Sequence, residues 1–285
     1  MSIDTQLEKM LRKVEKPARY TGGEVNSVKK DPEQVSVRFG FAFPDTYEIG
    51  MSYMGMQILY NILNRNEKIY CERIFAPAED MENLMRQTGR ELFTLETLSP
   101  VKEMDILGFT LQYELSYTNI LNMLELGGIP LRREERGDDF PVIVAGGPCA
   151  YNPEPLADFI DVFLIGDGED MQEEICMAWK RSSSKDGFLK AVCGMDGVYV
   201  PAFYEPQYND DGTVREIRKM YDGAPDRVRR AVVKDLDKAS FPVKNIVPFI
   251  ETVHDRSVVE TFRGCTRGCR FCQAGMIYRP VRERK

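Results

Sequence analysis

From Val35 to Phe43 apolar and small residues alternate. Val35, Val37, Phe39, Phe41 and Phe43 share one face, and the other face carries mostly small residues. A period of two predicts a strand, broken by Pro44-Asp45. The spacing then lengthens to that of a helix over roughly 51–64, with Met51, Met54, Ile58, Leu59 and Ile62 on one side. Arg73–Ala76 reads as a second strand, 79–88 as a helix closed by Gly89, and 92–96 as a short strand. An apolar strand follows at 105–111, then a helix at 115–126 stopped by Gly127-Gly128. The runs at 141–147 and 162–166 are almost wholly apolar, as strands covered on both faces are. A helix at 169–182 closes the series. Ahead of it all, Leu7, Met10, Leu11 and Val14 mark a short amphipathic helix that ends at Lys16-Pro17.

Strands alternating with helices of this length predict a parallel sheet covered on both sides. The fold expected is α/β, a flavodoxin-like doubly wound sheet over 35–196, after an N-terminal lead-in at 1–34. Residues 198–221 break the pattern: two apolar-polar stretches flank Asn209-Asp210-Asp211-Gly212 and predict a β-hairpin. With the proline-bearing stretch to residue 250, this makes a hairpin and connector over 197–250. A new strand, 257–263, runs directly into a cysteine-rich loop within a last segment, 251–285.

Composition removes several classes of function. Thirty-eight basic against 45 acidic residues leave a net charge of −7, so charge gives no indication of nucleic-acid binding. No apolar run reaches membrane-spanning length, and the charged N-terminus has no signal-peptide core. The expectation is a cytoplasmic protein with no membrane partner. Seven cysteines are then expected to be thiols or ligands rather than disulfides. A single histidine, His254, excludes any mechanism that needs two.

Cys265, Cys269 and Cys272 form C-x3-C-x2-C. Three thiolates on one tight loop can hold three irons of a cubane cluster and leave the fourth open to a substrate or cofactor. Gly264 and Gly268 suit a loop that wraps closely, and Arg267 and Arg270 bring positive charge to it. Zinc, with His254 as fourth ligand, is the competing reading. Cys71, Cys149, Cys176 and Cys193 are scattered and read as core thiols; only Cys149, after a glycine pair, stands near a candidate site.

The strand followed by C-x3-C-x2-C, with Phe271 before the last cysteine, resembles the radical S-adenosylmethionine (radical SAM) superfamily. RGCTRGCRFCQAGMIYRP, with the upstream strings VRFGFAFPDTYEIGMS, GFTLQYELSYTNILNML, AGGP and GDGE, resembles the branch with an N-terminal cobalamin-binding-like domain. The resemblance implies that Cys265, Cys269 and Cys272 bind a [4Fe–4S] cluster, and that S-adenosylmethionine chelates its open iron with Phe271 near the adenine. Reductive cleavage to a 5′-deoxyadenosyl radical would then act on a substrate that no motif names, with electrons from an external donor. It further implies that 251–285 begins a (β/α) barrel needing on the order of 200 more residues, so these 285 residues alone are not expected to be catalytically competent.

In open α/β sheets ligands bind beyond the carboxyl ends of the strands. The loops expected there include Gly146-Gly147-Pro148 and Gly166-Asp167-Gly168-Glu169, whose glycines would allow close approach of a ligand, and Gln112-Tyr113-Glu114. Asp45 and Gly50 match the cobalamin signature D-x-H-x-x-G, but Tyr47 stands where histidine would ligate cobalt. Cobalamin bound without a protein axial ligand and an inherited fold with no cobalamin are both left open. Glu114, Tyr117 and His254 are further polar candidates, and Arg227, Arg229 and Arg230 read as a solvated face of the connector. Two rival functions remain: a non-catalytic cobalamin-type binding or regulatory module, and a zinc-stabilised interaction protein.

Overall fold

The computed structural model describes residues 3–254, 256 and 258–285. Asp255, beside the candidate His254, and Ser257, first residue of the predicted strand 257–263, lie outside the described residues. Five parallel strands form the centre: β1 (Val37–Phe43), β2 (Ile69–Phe75), β3 (Ile106–Thr110), β4 (Val142–Gly146) and β5 (Val162–Leu164). Their spatial order, β2-β1-β3-β4-β5, is that of a flavodoxin-like sheet. A sixth strand, β6 (Val198–Tyr199), joins β5 antiparallel.

Alternation along each strand sorts side chains to two cores. Phe39, Phe41, Val144 and Val162 face α3 (Met54–Arg65), α6 (Glu169–Arg181) and α7 (Lys185–Val192). Leu107, Phe109, Ile143 and Phe163 face α4 (Glu79–Thr88) and α5 (Tyr117–Leu126). Helix α1 (Thr5–Leu11) buries Leu7 and Met10 in this second core, so the lead-in packs with the sheet. The sheet is therefore doubly wound, as the hydrophobic runs predict.

Several elements differ from the sequence expectation. The helix expected over 51–64 is preceded by a separate turn of helix, α2 (Tyr47–Met51). Strand β2 begins at Ile69, not Arg73. Residues 92–96 form a loop with one isolated bridge, Phe93 to Pro100; the Arg73 N–H of β2 donates to the Glu96 carboxylate instead of to a neighbouring backbone carbonyl. The hairpin is β7 (Tyr204–Tyr208) with β8 (Val214–Lys219), since Val198–Tyr199 pair with the main sheet.

The predicted strand 257–263 shrinks to β9 (Phe262–Arg263), which pairs with β10 (Arg282–Glu283). A strand persists only where a neighbour supplies ladder hydrogen bonds, and among the described residues only β10 does so here. Between them lie the cysteine loop and α8 (Ala274–Ile277). No helix among the described residues is long and apolar enough to cross a membrane.

Candidate cofactor site

The carboxyl ends of β1, β3, β4 and β5 open onto a cavity of about 440 Å³. Its floor is Phe41, Phe109, Thr110 and Leu164, and one wall is the first turns of α3 and α6. This is the point at which strand order reverses, between β1 and β3, where doubly wound sheets bind ligands. Gly146, Gly147, Pro148, Gly166 and Gly168 all line it. The opposite wall comes from the last segment: Val258, Glu260, Arg263, Gly264, Ile277 and Tyr278. Rim and cysteine segment thus face each other across one space.

At Gly166 the backbone that comes close belongs to the chain itself. With φ at +119°, a Cβ there would stand 2.1 Å from the Ala231 carbonyl oxygen. The connector runs parallel past this loop as an isolated bridge, Gly166 to Ala231. The glycine admits the connector rather than a ligand. Gly264 is constrained in the same way at φ +96°, with the Tyr278 carbonyl oxygen 2.7 Å from a built Cβ. Gly268 has open space around it and ordinary backbone, so its wrapping role has no counterpart in this conformation.

The Asp45–Gly50 turn lies outside the cavity lining. Tyr47 is buried, and its hydroxyl donates to Glu24 Oε1 at 2.9 Å. Burial and the Glu24 carboxylate push that hydroxyl well above its ordinary value, so it stays protonated. Glu24 in turn pairs with the buried Arg73 at 2.7 Å, and Arg73 Nε donates to Glu96 Oε1 at 2.6 Å. Gly50 meets the ring of Phe75, where a Cβ would come within 2.3 Å. Asp45 accepts from the Thr46 N–H. Tyr47 and Gly50 are explained by packing of α2 on the core.

The cysteine loop is tied to the rim by charge. Arg263 lies against Asp167 (3.4 Å), Glu169 and Glu260 (2.5 Å). Arg282 pairs with Asp167, and Arg284 with Glu260 at 2.8 Å. Arg230, read from sequence as part of a solvated run, lines the cavity and donates to the Ile277 carbonyl at the end of α8. Its neighbours Arg227 and Arg229 are exposed. Arg279 Nη2 donates to the Arg267 carbonyl at 3.1 Å, bracing the loop from within.

The chemistry-bearing side chains of the loop are open. Cys265 and Cys272 are half-buried free thiols and Cys269 is exposed. Phe271 is 93% exposed. His254 is exposed and touches the sheet domain through its backbone N–H, which donates to Ser52 Oγ at 3.1 Å. Cys149 sits beside Glu114 and Tyr117; burial and the Glu114 carboxylate push its thiol up to about 11, so it is protonated at neutral pH. Burial likewise raises Tyr117 to about 12. Cys71, Cys176 and Cys193 are buried, as core thiols should be.

A family model described as the N-terminal region of radical SAM proteins matches residues 55–201, just over half of the chain. The chain belongs to the radical SAM proteins. An uncharacterized protein of Methanocaldococcus jannaschii is 25% identical to this radical SAM protein over 244 residues, covering 85% of this chain and 42% of the relative. The chain thus spans less than half the length of that relative. Two solved structures are also similar. One is the radical S-adenosylmethionine methyltransferase TsrM from Kitasatospora setae, with 13% identity over 61% of this chain and 29% of that one, at a TM-score of 0.37. The other is the cobalamin-dependent S-adenosylmethionine radical enzyme OxsB, with 11% identity over 73% of this chain and 24% of that one, at a TM-score of 0.39. Likeness of this degree says nothing about the cofactors of this chain.

The donor chemistry of this radical SAM protein fits an iron–sulfur cluster: three free thiols on one short loop, with no fourth cysteine on it. Among the described residues, no three Cys, His, Asp or Glu side chains gather closely enough for a single metal ion. A histidine-ligated corrin does not fit. No histidine lines the cavity, and the tyrosine at the signature position turns into the core.

Proposed function

We propose that this chain is the N-terminal part of a radical SAM enzyme in which the rim of the α/β sheet and the cysteine loop serve one shared cavity. The observation that carries this reading is the cavity wall, where Gly146 and Gly166 of the rim oppose Arg263, Tyr278 and Gly264, the residue before Cys265; the cysteines themselves lie outside the lining. Cys265, Cys269 and Cys272 would hold a [4Fe–4S] cluster, which with S-adenosylmethionine supplies one-electron cleavage chemistry when bound. Phe271, exposed between Cys269 and Cys272, would meet the adenine. The Gly146-Gly147-Pro148 loop would approach an additional cofactor through backbone groups, with no side chain of Asp45–Gly50 ligating it. Tyr53, Met54, Leu59 and Ile277 give the cavity apolar walls. An external one-electron donor is the partner this reading requires.

The test is anaerobic reconstitution with iron and sulfide. The chain should take up about four irons, and alanine at Cys265, Cys269 or Cys272 should abolish the uptake. Cys71→Ala and Cys176→Ala, compared at equal folded fraction by circular dichroism, should retain it. Loss of iron in the folded Cys71 and Cys176 variants, or binding of zinc alone by the native chain, would overturn the assignment.

A further inference from the structure

The cysteine loop leaves the fold at β9 and returns at β10, and each strand carries an arginine aimed at the same residue. Arg263 Nη1 lies 3.4 Å from Asp167 Oδ1, and Arg282 Nη1 bonds Asp167 Oδ2. All three side chains are largely shielded, at 15%, 7% and 12% exposure. Asp167 also accepts the Val233 N–H at 2.8 Å, and Arg282 donates to the Val233 carbonyl at 2.7 Å. The Asp167 N–H itself donates to the Ala231 carbonyl at 3.0 Å. One carboxylate therefore joins the rim loop after β5, the connector and both feet of the cysteine loop.

We infer that Asp167 is a positioning residue that clamps both ends of the cysteine loop to the rim of the sheet. Two features make charge the agent. The feet share only two ladder positions, Arg282 with Arg263 and Glu283 with Phe262, too short a ribbon to hold itself. Apolar burial adds little, because Ile277 is buried while Val259, Phe262, Phe271 and Met276 stand in solvent. Arg282 gives Asp167 a shielded charge-assisted hydrogen bond, about twice as strong as a neutral one, and Arg263 adds an ion pair at 3.4 Å. Glu169 and Glu260 complete the match, three carboxylates against Arg263, Arg282 and Arg284. Asp167 also lines the cavity, so the clamp sets how far the cysteines stand from whatever occupies the rim. That last consequence rests on the cluster reading; the clamp does not.

The experiment is amide hydrogen exchange on the metal-free chain, native against Asp167→Asn, which keeps shape and removes charge. Peptides spanning 258–285 should lose protection by about tenfold while β1, β3 and β4 stay unchanged. Arg282→Met should reproduce the loss, the double variant should add little to it, and Asp167→Glu should restore part of the protection. Unchanged exchange in 258–285, or equal loosening of β1 and β3, would overturn the clamp. Iron uptake is then followed in the same proteins. Asp167→Asn should load several-fold more slowly than the native chain at the same thermal midpoint, and equal loading rates would overturn the positioning role. If the native chain loads no iron, the cluster reading fails while the exchange result still decides the clamp.

Discussion

Val142, Ile143 and Val144 are buried at successive positions of β4, because both faces of the sheet are covered. Between residues 258 and 271 the reverse holds: Val259, Phe262 and Phe271 are exposed. What secures this second region is the set of arginine–carboxylate pairs around Asp167 and Glu260. The contrast separates two ways of fixing a chain. Apolar burial is non-directional and is not screened by salt, whereas ion pairs specify a register and weaken as ionic strength rises. The sheet is a scaffold with its geometry settled by packing, and the cysteine segment is a docked part whose geometry is set by charge.

The largest expected effect lies in the scaffold. Phe163 is wholly buried on β5, between Ala145 of β4 and Tyr199 of β6, in the second core. Phe163→Ala should cost about 3–5 kcal/mol in urea unfolding, with the same loss at low and high salt. A loss under about 1 kcal/mol would break the division, since the sheet would then not rest on packing.

An intermediate effect tests a charge inside the scaffold. Arg19 and Lys16 of the lead-in converge on Glu48 of α2, at 2.7 and 3.0 Å. Burial raises this carboxyl, but the hydrogen bonds from Arg19 and Lys16 outweigh it and hold it at about 2, against an ordinary 4.5. Because the folded value is depressed, the stabilisation is fully present above about pH 4.5 and is lost as pH falls toward 2. Glu48→Gln should therefore cost on the order of 1 kcal/mol at pH 7, after allowance for solvent screening. The gap from the native chain should close in acid unfolding between these two values. A gap that stays constant with pH would mean that the pair contributes nothing.

The smallest effect sharpens the comparison from the other side. Phe271 is 93% exposed, so Phe271→Ala should change thermal stability by less than about 0.5 kcal/mol. A loss above about 1 kcal/mol would show that the cysteine segment buries apolar surface after all.

Much of the scaffold was legible in sequence, for reasons that also explain the misses. The runs at 141–147 and 162–166 read as strands because both-face burial leaves no polar interruptions, and Gly89 marked the end of α4 by its left-handed backbone. Strand β2 was only half visible. Its Glu72 and Arg73 are charged yet buried, paired with Arg38 at 2.7 Å and with Glu24 and Glu96. No periodicity announces such partners. Helix α7 went unread although Ser184, which accepts the Gly187 N–H at 3.1 Å, is a recognisable cap.

At the site, the cysteine spacing and the rim glycines could be read locally. Arg230, Arg263 and Asp167 could not, because their roles depend on contacts between residues far apart in sequence. The Asp45–Gly50 turn shows the opposite error. A motif fragment pointed to a ligand, but the turn is held by Tyr47 on Glu24 and by Gly50 against Phe75.

The distance along the chain from Asp167 to Arg282, 115 residues, has a consequence for the order of assembly. Chains emerge from the ribosome at about 5–20 residues per second. Strands β1 to β5 are thus synthesised on the order of ten seconds before the second arginine exists. Closing so long a loop is also among the entropically costlier steps of folding. During that interval the rim carboxylates lack these partners, and the cysteines emerge after the five parallel strands they will face. Thiol order consequently follows the sheet in synthesis, and a cell that inserts metal here would be acting on a chain whose parallel strands are already made.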